Sequence, residues 1–235
     1  MTYYVGSENN QYPYSAVSYI EVTYADGSSF SGSGVVVGEN DILTASHVIY
    51  DADRGGLAED ITVYPGRDGS ERPFGSFDAE YANYFEVDQD GDDKFSRAES
   101  ERDLALLGFD ESIGDQTGYF GLDPNAGDGF FNLTGYPSAY SDSSGPRMTN
   151  DFGSADTGNY SYVWDYGTIE SNSGNSGGPL WYDDNGEPYV VGIVSTSGWA
   201  VDIYAQYDTI QDWIDGNNFL LRSSNAAPNA NDDAV

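Results

Sequence analysis

The chain has no cysteine, and it has one histidine and one lysine in 235 residues. Without thiols no disulfide can staple the fold, and no redox compartment can be read. Lysine and arginine together number 8 against 40 acidic residues, a formal net charge of −32. Nucleic acid and anionic membrane surfaces are therefore poor partners, because phosphate binding rests on cationic side chains. No apolar run approaches the roughly 20 residues of a spanning helix, so no membrane insertion is expected. The opening Met-Thr-Tyr-Tyr-Val-Gly-Ser lacks the basic start and apolar core of a signal peptide. Such acidity suits a salty or calcium-rich exterior, where screening and bound cations relieve self-repulsion. A secreted or cell-surface location is the expectation, by an export route the sequence does not show.

Aromatic residues are plentiful, with 20 tyrosines and 11 phenylalanines, enough for a packed core despite the polar average. The length fits one large domain or two small barrels sharing an interface. Residues 1–16 are polar and tyrosine-rich and read as a surface arm. Alternating patterns predict strands over 16–24 and 29–37, joined by the turn Ala25-Asp26-Gly27-Ser28. Further strands are expected over 61–64, 76–85, 104–109, 130–134, 160–168, 180–182, 188–195 and 201–205. Many short strands with glycine-rich turns argue for an antiparallel all-β domain. One helix is expected near the end, opened by a capping box at Asp208-Thr209-Ile210-Gln211 and burying Ile210, Trp213 and Ile214. Residues 223–235 have linker composition without periodicity.

Gly174-Asn175-Ser176-Gly177-Gly178-Pro179 is suited to acyl transfer. A glycine before the pair lets the backbone turn so that the N–H groups of Gly174 and Ser176 share one small space, an oxyanion hole for the intermediate formed by the Ser176 hydroxyl. A serine hydroxyl needs a base, and His47, in Leu43-Thr44-Ala45-Ser46-His47-Val48, is the one imidazole present. The third member must be a carboxylate that holds the imidazole tautomer. Asp103 leads the apolar run Leu104-Ala105-Leu106-Leu107, which draws its charge toward the interior.

These three segments, in the order His, Asp, Ser, resemble the trypsin-like (chymotrypsin-fold) serine peptidases over about residues 17–221. The likeness is nearest the bacterial glutamyl-endopeptidase-like branch, through Gly135-Tyr136-Pro137 after Phe131-Asn132-Leu133-Thr134 and through Asn175. The resemblance implies two six-stranded antiparallel barrels, over about 17–112 and 113–222, with the cleft between them and a terminal helix. It implies a serine endopeptidase that cleaves polypeptides through an acyl-enzyme, with catalytic His47, Asp103 and Ser176. Asn175 cannot make the ion pair with a new N-terminal amine that activates the animal zymogens.

The same resemblance places Glu170 at the floor of the primary substrate pocket, where it would favour arginine or lysine, unless it turns out to solvent. Ser195, Thr196 and Ser197 would form the pocket wall. Glutamyl specificity in the branch uses a wall histidine. The only histidine here serves catalysis, and Thr196 or Ser197 stands at that place, so glutamyl preference is expected to be lost.

Residues 88–99 fit the twelve-residue EF-hand calcium loop at its ligand positions, with Asp88, Asp90, Asp92, the Lys94 carbonyl, Ser96 and Glu99 in order. Phe95 holds the apolar eighth place. Asp93 stands where glycine normally permits the turn, which is expected to weaken affinity. Structural Ca2+ is thus expected just before Asp103, and none is needed for the chemistry. The last part of the tail resembles the opening of cadherin-like repeats in large bacterial calcium-dependent surface proteins. A catalytically silent binding or adhesion module on the same scaffold is the competing expectation, since fold does not fix function. An acidic calcium store would need more ligands than one loop supplies.

Overall fold

The structure, a computed structural model, describes residues 1–88, 95–158, 160, 162–196 and 198–224. The Asp90, Asp92 and Lys94 ligand positions, Ser197 of the pocket wall and the cadherin-like tail lie outside the described residues.

The tyrosine-rich arm begins with β1 (Tyr3–Tyr4). The first sheet contains β2 (Val17–Thr23), β3 (Ser29–Val36), β4 (Asp41–Thr44), β5 (Asp60–Pro65), β6 (Phe77–Asp78), β7 (Tyr81–Tyr84) and β8 (Ala105–Gly108). Their spatial order is β6-β5-β2-β3-β4-β8-β7, antiparallel throughout. The second sheet contains β9 (Gly121–Leu122), β10 (Gly129–Gly135), β11 (Thr149–Ala155), β12 (Val163–Asp165), β13 (Pro179–Asp184), β14 (Glu187–Thr196) and β15 (Trp199–Asp202). It runs β1-β11-β10-β13-β14-β15-β12, with β9 added parallel to β14. Two curled antiparallel sheets and a C-terminal helix make the chymotrypsin fold. The sheets have seven and eight strands where six each were expected, because two-residue pieces such as β1, β6 and β9 extend them.

The arm is tied to the second sheet. Tyr3 pairs with Asn150 in β11, and Val5 is buried in the core. The strand expected over 76–85 is divided into β6 and β7 around Ala79 and Glu80. The strand expected over 160–168 contracts to β12. Past the short helix α3 (Ile113–Thr117), the helix expected from Asp208 starts earlier, as α4 (Ile203–Ser224). Asp202 accounts for the earlier start: its Oδ1 accepts the Tyr204 N–H at 3.0 Å, an N-cap bond ahead of the Asp208 box.

The largest core cluster joins β2–β5, β8 and α4 through Ile20, Val35, Ile42, Leu43, Leu106 and Ile210. Burying one such side chain contributes about 1.5–3 kcal/mol. A second cluster around Trp164, Tyr166, Leu180 and Val191 fills the other barrel. The α4 helix docks on β8, β14 and β15, with Trp213 packed on Phe85 at 5.2 Å between ring centres. One polar residue, Asn217, sits in its buried stripe and donates to the buried Asp41 carboxylate at 2.9 Å.

Candidate active site

Strand register builds the base side of the cleft. β4 and β8 pair with Thr44 opposite Ala105. The chain leaving β4 then turns into the short helix α1 (Ser46–Ile49) beside the residues leading into β8. His47 therefore lies against Asp103. Its backbone N–H donates to Asp103 Oδ1 at 2.9 Å, and its Nδ1 meets Asp103 Oδ2 at 2.6 Å. Next to it, the Ser46 hydroxyl donates to the Leu104 carbonyl at 2.6 Å and fixes the turn.

Asp103 is fully buried and has a third partner that sequence reasoning placed only on the pocket wall. The Ser195 hydroxyl donates to Asp103 Oδ2 at 2.6 Å. A buried carboxylate needs such donors to remain charged. His47 is a quarter exposed. Burial pulls its pKa down, but the charge and hydrogen bond of Asp103 outweigh that, leaving it above the ordinary 6.5.

A glycine-shaped loop builds the nucleophile side. Gly174 and Gly177 have φ of +100° and +81°. A Cβ on Gly174 would lie 2.3 Å from the Tyr136 carbonyl, and one on Gly177 would lie 2.2 Å from the Ser33 carbonyl. Any side chain at either position would thus collide with backbone. Asn175 is buried and braces the loop, its Oδ1 accepting the Asn172 N–H at 2.9 Å. Ser33 of β3 spans the barrels: its hydroxyl donates to the Gly174 carbonyl at 2.6 Å and accepts the Tyr136 N–H at 2.9 Å. Its own N–H donates to the Ser176 carbonyl at 2.8 Å.

Ser195 links the two sides. Its hydroxyl serves Asp103, and its carbonyl lies 3.5 Å from Ser176 Oγ. The Ser176 hydroxyl is turned toward that carbonyl and not bonded to His47, so the two side chains are linked through Ser195 and Asp103 in turn. Among the described residues the N–H groups of Gly174 and Ser176 donate to no protein acceptor.

The other expected site residues are distributed as follows. Glu170 is not on a buried floor: it is exposed, and its oxygens accept from Thr2 and Tyr140, each at 2.9 Å, and from Asn172 at 3.3 Å. Those bonds, Thr2 first, hold its pKa below the ordinary carboxyl value. Thr196 is half-buried at the end of β14. Its carbonyl accepts from Tyr166, a residue the sequence did not single out. Of the calcium positions, Ser96 and Glu99 form a capping box that opens α2 (Arg97–Ser100), with Glu99 Oε2 accepting the Ser96 N–H at 2.7 Å. Asp88 is half-buried with φ of +53°. No cluster of three or more metal-ligating side chains occurs among the described residues. Phe95 lies against His47, ring centres 5.1 Å apart.

Similar proteins give this geometry a context. Residues 5–214 match the trypsin family. An extracellular metalloprotease of Bacillus subtilis is 27% identical over 220 residues, which cover 88% of this chain and 66% of that protein. This chain's single histidine cannot form an H-E-x-x-H zinc motif. The glutamyl endopeptidase of Bacillus licheniformis is 33% identical over 110 residues, 47% of this chain and 31% of that one. The chain thus spans less than two thirds of the length of these relatives. Among solved structures, a Glu endopeptidase in complex with MPD superposes with a TM-score of 0.70 at 24% identity, covering 92% of this chain and 96% of the other. The chain belongs to the trypsin family and stands near its glutamyl-endopeptidase branch.

Proposed function

We propose that this chain is a serine endopeptidase acting on polypeptides outside the cell. The observation that carries the reading is the fully buried Asp103 holding both the N–H and the Nδ1 of His47, while Ser195 joins the same carboxylate to the Ser176 side. Rotation of the Ser176 hydroxyl toward His47 Nε2 closes the triad when substrate displaces it from the Ser195 carbonyl, since catalytic hydrogen bonds often tighten only with substrate bound. The imidazole then takes the hydroxyl proton as Oγ attacks the peptide carbonyl, and the oxyanion is met by the N–H groups of Gly174 and Ser176. Imidazolium returns the proton to the leaving amine, and water repeats the sequence on the acyl-enzyme.

A fluorophosphonate probe tests this directly. Covalent labelling of Ser176, absent in Ser176→Ala, is the expected result. A folded parent chain that resists the probe would instead be a silent binding module.

Calcium is the second part of the proposal. Asp88, Ser96 and Glu99 supply oxygen donors of the right kind, and the capping box starts a helix where an EF-hand loop ends. Glu99 would have to release one oxygen from that cap to serve as a bidentate ligand. Bound calcium would fix the approach to Asp103 and hold Phe95 on His47. Calcium should raise the unfolding midpoint relative to chelator, and Glu99→Gln should abolish the difference; equal midpoints would remove the metal from the account. No helix is long and apolar enough to cross a membrane among the described residues.

A further inference from the structure

Two segments flank the Ser176 hydroxyl: residues 171–174, leading into the nucleophile, and residues 195–196, whose first carbonyl is 3.5 Å from Oγ. A substrate with its carbonyl carbon on Oγ and its oxygen toward the Gly174 and Ser176 N–H groups must send the adjoining side chain into the gap between these segments. What closes that gap determines which side chain fits.

Glu170 does not close it, because its carboxylate is on the surface among Thr2, Tyr140 and Asn172. Tyr166 does. It is fully buried, and its hydroxyl spans the base of the gap, donating to the Thr196 carbonyl at 2.5 Å with Ser171 Oγ 3.3 Å away. Its own N–H donates to the Gly198 carbonyl at 3.0 Å, so the residue is stitched to one wall at both ends. The phenol is neutral, since burial pushes its pKa up to about 12. Its single proton is committed to Thr196, and the Ser171 hydroxyl faces it. The hydrogen bonds described at this base join neutral groups alone, the Tyr166 phenol, the Ser171 hydroxyl and the Thr196 carbonyl. The arginines whose side chains are described are engaged elsewhere: Arg54 with Asp51, Arg97 with Glu101, Arg147 with Asp68 and Asp142, and Arg67, Arg72 and Arg102 over aromatic rings.

We infer that Tyr166 is the specificity-determining residue of this enzyme and that it restricts cleavage to bonds following a short, uncharged side chain of the alanine, serine, threonine or valine class. The inference rests on the endopeptidase reading and adds a substrate class to it. A pocket closed by a fixed ring discriminates by size, and one methylene is worth about 10–200-fold in kcat/KM.

The experiment is a peptide-library digest of the full chain with the products sequenced, followed by kcat and KM on matched alanine and phenylalanine substrates for the parent, Tyr166→Leu and Tyr166→Phe. The parent should prefer alanine by at least about tenfold. Tyr166→Leu should raise the phenylalanine-to-alanine ratio by about tenfold or more, with KM for the phenylalanine substrate falling. Tyr166→Phe keeps the ring but removes the hydroxyl at the base, and should raise the ratio by less than Tyr166→Leu does. Parental cleavage after arginine, lysine or glutamate overturns the assignment. So does a Tyr166→Leu enzyme that loses rate without changing the ratio, the mark of a merely structural residue. Fluorophosphonate labelling of the parent separates the failures: no label overturns the endopeptidase reading and this assignment with it, while label with an unmoved ratio overturns this assignment alone.

Discussion

On one side of the cleft, His47 and Asp103 are aligned by the register of two fully buried strands; on the other, Ser176 stands on a loop shaped by two left-handed glycines. The difference is between alignment by pairing and alignment by absence of side chains. A register is cooperative, so the base side tolerates surface change but not a slip. The glycine loop has no such averaging, and a single Cβ meets backbone at once. Ser195 touches both constructions, bonding Asp103 and lying against Ser176 Oγ.

The comparison can be broken from either side. The largest effect is expected from Ser176→Ala, with a fall of about 10⁴- to 10⁶-fold in kcat/KM at an unchanged unfolding midpoint. Asp103→Asn keeps the register but supplies the wrong tautomer, and should cost about 10⁴-fold. Gly177→Ala attacks the other construction, and thermal unfolding should show a loss of about 3 kcal/mol or more, because left-handed strain adds to the clash with the Ser33 carbonyl. If this variant were as stable as the parent, the glycine loop would not be the rigid side described.

Two smaller effects depend on pH. Burial first, then the nearby Glu39, raises the Asp41 pKa from 3.8 to about 6, against the Asn217 bond. The folded state then favours the protonated acid, so its stabilising contribution is complete below pH 3.8 and disappears as pH rises through about 6. Asp41→Asn should match the parent near pH 4 and exceed its stability at neutral pH by up to about 3 kcal/mol. For catalysis, His47 must be neutral, so kcat/KM should rise with pH through a value above 6.5. Ser195→Ala removes a donor from Asp103, concentrates the carboxylate charge on His47 and should move that rise to higher pH. A rise at lower pH would mean that Ser195 does not temper this charge.

Legibility differed by construction in the same way. The segments carrying His47, Asp103 and Ser176, the glycine turn and most strands of the first sheet follow local rules, and local rules are visible in sequence. β4 is absent from the expected strands because Asp41–Thr44 is buried at every position and shows no alternation. β11 was missed because Thr-Asn-Asp-Phe-Gly-Ser-Ala is polar enough to read as a loop. The link from Ser195 to Asp103 spans 92 residues, and no spacing rule reaches that far. Glu170 had the family position, but its rotamer was decided by Thr2 and Tyr140, remote partners the alignment could not weigh. Tyr166 looked like one aromatic core residue among many until its hydroxyl was seen between two walls.

Ser33 carries a consequence for assembly. Its backbone and hydroxyl are shared among Ser176, Gly174 and Tyr136, so a residue from the first barrel completes the nucleophile loop of the second. Neither half alone holds both sides of these bonds, so the loop takes its described form only when the two barrels are docked.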